Sequence, residues 1–121
     1  MPYLIAIFLL PLLTLVVVLI YGFVAFDRLL RAEYEQHRPT WETDGRPAGY
    51  FWRAQECGFI TSHLARIRLS TVWLFCTPAW IASSPALLTK LRRLRFAVLI
   101  WNVGVLVWFG IFYGVVYVLH N

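Results

Sequence analysis

The sequence predicts an all-α membrane protein with two transmembrane helices, and three observations carry that prediction. Residues 3–26 and 96–119 are each runs of 24 residues without a charged side chain. Hydrophobic residues make up 60% of the 121-residue chain and charged residues only 14%, where a soluble domain carries about a quarter. All 11 Lys and Arg fall between the two runs, from Arg28 to Arg95. Once the two spans are set aside, too few residues remain for a large independent core or substrate cleft.

The first run, Tyr3 to Phe26, covers roughly 36 Å as a helix, enough to cross a hydrocarbon core of about 30 Å with some tilt. An open strand there would leave backbone groups without partners, so helix is the expected form, kinked at Pro11. No Lys or Arg precedes this run, and Ala25-Phe26-Asp27-Arg28 closes it without a small-x-small cleavage site. It is therefore expected to stay as an anchor rather than be removed as a signal peptide. The positive charge between the spans predicts that both termini face outward and that residues 27–95 are cytoplasmic or interfacial. The whole chain then reads as a single membrane unit, with the bacterial inner membrane as its location.

The connecting segment divides by charge. Residues 27–56 hold all six acids and carry a net −1, while residues 57–95 hold none and carry +6. Helix formers continue from Asp27 to Gln36, with Arg31 and Glu35 paired one turn apart, and Pro39 predicts a stop just before it. Residues 40–44 suggest a short helical turn capped by Gly45, and 45–51 a loop. Trp41, Tyr50, Phe51 and Trp52 are too many aromatics for a solvated loop, which predicts headgroup anchoring or contact with another protein.

Helical spacing over 60–75 gathers Ile60, Leu64, Ile67, Thr71, Leu74 and Phe75 on one side. Ser62, Arg66, Ser70 and Trp73 fall on the other, as in a helix lying in an interface. Leu69 to Thr89 is also uncharged over 21 residues. Pro78, Pro85 and the serines between them argue against a third continuous span, so an interfacial or re-entrant hydrophobic hairpin is expected. Ser84-Pro85 is a helix start from which a stripe of Leu87, Leu91, Leu94 and Val98 leads unbroken into the second span.

Candidate sites follow from residue type. Lys90, Arg92, Arg93 and Arg95 lie beside the bilayer, where anionic lipid headgroups contribute about 1 kcal/mol per basic residue, so lipid rather than nucleic acid is the expected partner. Gly110 and Gly114 form a GxxxG, and Asn102 is the one strongly polar side chain within a span. All three are expected in helix packing, either in self-association or against the first span. Trp41, Phe51 and Trp73 are expected contacts for a larger integral membrane partner. His37, His63 and His120 lack metal-ligand spacing, and Cys57 and Cys76 are expected as reduced thiols. No phosphate-cradling loop or nucleophile elbow is present in the sequence, so no catalytic residue, metal or cofactor is expected.

Leu29-Leu30-Arg31, His37 with Trp41-Glu42, Gly45-Arg46-Pro47, Phe51 and the Ser-Pro-x-Leu-Leu start before Lys90-Leu-Arg-Arg-Leu-Arg95 together carry a resemblance. In this order, between two terminal spans, the chain resembles the universal stress protein B family of small bacterial inner-membrane proteins. The family's acidic amphipathic helix is replaced here by the apolar stretch Leu69 to Leu88. The resemblance implies no reaction. With the composition, it leads to the expectation of a non-enzymatic protein: an accessory subunit of a larger membrane complex or a stress-associated envelope factor. The alternative is a holin-like oligomeric pore or transport component.

Overall fold

The structure is a computed structural model and describes residues 2–121. It contains five helices in the order α1 (Pro2–Gln36), α2 (Arg38–Thr43), α3 (Ile60–Phe75), α4 (Ala79–Ala82) and α5 (Pro85–His120), and no strand among the described residues. Both α1 and α5 are long and apolar enough to cross a membrane. Their most apolar 18-residue windows are only 6% buried, as expected where hydrocarbon or another helix, not water, is the outer medium.

The local boundaries have local causes. Helix α1 ends at Gln36, where the His37 amide donates back to the Glu33 carbonyl, and α2 starts at Arg38 with Pro39 in its first turn, where the missing N–H has no helical partner to lose. Helix α2 ends in a Schellman motif: the Gly45 amide donates to the Glu42 carbonyl and the Arg46 amide to the Trp41 carbonyl. Gly45 supplies the positive φ, +95°, that this ending requires, and Arg46 follows at +53°. The uncharged stretch after Leu69 is not one helix. It breaks after Phe75, forms the single turn α4 behind Pro78, and restarts at Pro85, where the Ser84 hydroxyl accepts from the Leu87 amide at 3.4 Å.

The chain forms two compact units: Met1–Tyr21 with Phe96–Asn121, and Gly22–Arg95. In the first, the helix-pair unit, Leu15 is buried and fills the notch at Gly104, where a Cβ would collide with the Leu15 side chain. Phe8 meets Trp108 and Phe112 edge to face, at centroid separations of 6.3 and 5.4 Å. In the second, the connecting unit, the core comprises Phe26, Leu29 and Leu30 of α1, Trp41 of α2, Leu69 and Trp73 of α3, Ile81 of α4, and Leu87, Leu91 and Leu94 of α5.

Candidate functional site

The connecting unit is organised around Asp27. Its carboxylate accepts the backbone amides of Tyr50 and Phe51 at 2.7 Å and of Trp52 at 3.0 Å, so the loop forms a nest of donors around one buried charge. Gly49 makes the approach possible, because a Cβ there would lie 2.5 Å from the Asp27 Oδ1 and 2.8 Å from the Trp52 carbonyl. Arg66 donates to the Gly49 carbonyl at 3.2 Å and sits 4.6 Å above the Tyr50 ring, which also stacks on Phe23 at 4.1 Å and meets Phe26 edge to face at 5.4 Å. The irregular loop is thus fixed to α1 by one carboxylate and by ring contacts of Phe23, Phe26 and Tyr34 with Tyr50, Phe51 and Trp52.

Glu33, on the same helix, is in the opposite situation. It is fully buried and neither carboxyl oxygen has a hydrogen-bond partner. Burial, and next the negative charge of Asp44, push its pKa up to about 9, so the carboxyl is neutral at physiological pH. On the exposed side, the Tyr34 hydroxyl donates to Glu56 at 2.8 Å, which lowers the Glu56 carboxyl pKa and raises that of the phenol. The Arg38 guanidinium lies 3.6 Å over the Tyr34 ring.

The residues singled out from sequence fall into different environments. Trp41 and Trp73, expected as contacts for a partner, are fully buried and fill the unit's own core; the Trp41 ring N–H donates to the Pro47 carbonyl at 3.1 Å. Tyr50 and Trp52 likewise pack on their own chain, against Phe23 and Tyr34, rather than standing free for headgroups. Phe51 alone of the expected aromatic contacts is well exposed. In the basic cluster Arg92 and Arg93 are exposed and Lys90 is half-buried. Arg95 turns inward, donating to the Trp73 carbonyl at 2.9 Å and the Thr77 hydroxyl at 3.1 Å, where it caps the end of α3.

In the helix-pair unit, Asn102 bonds to the Val98 carbonyl of its own helix at 2.8 Å. A Cβ at Gly110 or Gly114 would meet nothing within 4 Å, so these glycines are not what the first span packs on. The polar link between the helices is one that sequence reasoning missed: the Trp108 ring N–H donates to the Phe8 carbonyl at 2.9 Å. No local signal marks this acceptor in the sequence, since the donor that Pro11 lacks would have served the Ile7 carbonyl and not that of Phe8. Cys57 and Cys76 are both free thiols. Comparisons with protein-family models, with curated proteins and with solved structures found no match.

Proposed function

We propose that this chain is a non-enzymatic two-span protein of the bacterial inner membrane that acts through partner and lipid contacts. It serves as an accessory subunit of a larger membrane complex or as a stress-associated envelope factor. The observation that carries this reading is that the most apolar stretches of α1 and α5 bury almost no residue, leaving a surface that only lipid or other membrane helices cover favourably. The distribution of Lys and Arg supports placing both termini outside and residues 27–95 on the cytoplasmic side, with the broken hydrophobic stretch around α4 at the interface.

Lys90, Arg92 and Arg93 are the headgroup contacts in this reading, because Arg95 is committed to the end of α3. Replacing these three with Gln is expected to reduce co-purifying anionic lipid, and unchanged lipid content would reject that role. Affinity purification in mild detergent, followed by native mass measurement, tests the wider proposal: a stoichiometric larger membrane protein identifies an accessory subunit. A lone monomer carrying no bound lipid would reject action through partner and lipid contacts.

The open faces of Gly110 and Gly114 favour a second reading, a holin-like oligomer assembled through α5. Substituting Leu at both positions would then abolish crosslinked oligomers, and an unchanged ladder would reject the oligomer.

A further inference from the structure

Helix α3 has its polarity reversed relative to a helix that borders water. Ile60, Leu64, Ile67 and Phe75 are 66, 61, 60 and 81% exposed, whereas Ser62 and Trp73 are fully buried. The Ser62 and Ser70 hydroxyls and the Trp73 ring N–H lie inside without hydrogen-bond partners. Sequence periodicity separates the same two faces but does not say which turns inward. In water the apolar stripe would be the buried one. Leu69 and Trp73 also turn inward, but a helix that buries two serine hydroxyls while leaving Ile60, Leu64, Ile67 and Phe75 outside matches an apolar medium on its outer face.

We propose that the outward face of α3, formed by Ile60, Leu64, Ile67, Thr71 and Phe75, lies in the interfacial zone of an anionic bilayer, with lipid acyl chains as its occupant. Charge complementarity selects lipid over a protein partner. Residues 57–95 contain six basic and no acidic residues, and Arg68 is exposed beside the stripe, where its stem can lie along apolar surface while the guanidinium reaches headgroup phosphates. The proposal rests on the membrane reading above, because both helices that flank this unit must be anchored for the bilayer to be within reach.

Nitroxide labels test this on the full chain in lipid nanodiscs containing phosphatidylglycerol, in a background of Cys57→Ser and Cys76→Ser. Labels at L64C, I67C and T71C are expected to collide more with dissolved oxygen than with a water-soluble nickel chelate. A label at E42C, on the exposed side of α2, is expected to show the reverse. L106C, on the exposed surface of α5, reports on the membrane span itself.

Nickel-accessible labels on α3 beside an oxygen-accessible L106C would overturn the proposal and leave the two-span reading standing. Nickel access at L106C as well would overturn both. Protection of the α3 labels from both reagents would overturn it in favour of a protein partner or a second copy. In discs of phosphatidylcholine alone the α3 labels are expected to shift toward nickel access, and an unchanged ratio would overturn the anionic requirement.

Discussion

In the helix-pair unit, a single side-chain hydrogen bond among the described residues, from Trp108 to the Phe8 carbonyl, joins α1 to α5, and the rest of the contact is shape: Leu15 in the Gly104 notch and Phe8 against two rings. The connecting unit is held in another way. Asp27 gathers three loop amides, Trp41 reaches the Pro47 carbonyl, Arg66 the Gly49 carbonyl and Arg95 the Trp73 carbonyl. The difference follows from backbone accounting. Two continuous helices satisfy their own amides and carbonyls, so little polar bonding is needed between them. A segment broken at residues 37, 44–59, 76–78 and 83–84 must find partners for its irregular backbone, and its buried side chains supply them.

This contrast is broken most severely at Asp27. Asp27→Ala leaves three amides without their acceptor and is expected to cost about 3 kcal/mol or more. Fast hydrogen exchange at 50–52 should appear while the helicity of 3–21 and 96–119 persists. Equal exchange in variant and parent would show that the carboxylate does not hold the loop. Gly49→Ala is expected to act in the same direction by about 2 kcal/mol, because the new methyl meets both Asp27 and the Trp52 carbonyl.

Glu33 sharpens the comparison through pH. Its folded-state pKa lies above its unfolded value, so the folded form holds the extra proton and the associated stability is complete below about pH 4.5. That stability is lost as pH rises toward 9, with a slope no steeper than about 1.4 kcal/mol per pH unit. Thermal denaturation from pH 5 to 9 should therefore show a falling midpoint in the parent and a flatter profile in Glu33→Gln. Parallel profiles would remove Glu33 as the cause.

Smaller effects are expected elsewhere. Trp108→Phe keeps the ring contacts but removes the donor to Phe8, a loss of about 1 kcal/mol readable as an earlier unfolding midpoint in sodium dodecyl sulfate. The exposed Arg31–Glu35 pair, 3.0 Å apart, belongs at the bottom of the scale: Arg31→Ala should shift stability by no more than about 0.5 kcal/mol.

Much of the secondary structure was legible because its causes are local. Pro39, Gly45, Pro78 and Ser84-Pro85 mark breaks that the backbone respects, and the periodicity from Ile60 to Phe75 sets the limits of α3. The candidate site was less legible because its causes are long-range. Nothing near Asp27 in sequence reveals that amides 23 to 25 residues away converge on it. Aromatic residues suit interfaces, so Trp41 and Trp73 read from sequence as partner contacts, yet the same large side chains are what a small core needs to fill its volume. The inward turn of Arg95 was hidden for a similar reason: a basic cluster in sequence gives charge density, not the direction of each guanidinium.

Topology in intact cells tests the central claim, two spans with the basic segment inside. Single cysteines Y3C, N121C and E42C, each introduced after Cys57→Ser and Cys76→Ser, would be treated with a membrane-impermeant maleimide before and after permeabilisation of the inner membrane. The account predicts labelling of Y3C and N121C in cells with an intact inner membrane and of E42C only after permeabilisation. Labelling of E42C while the inner membrane is intact, or of only one of the two terminal positions, would contradict it.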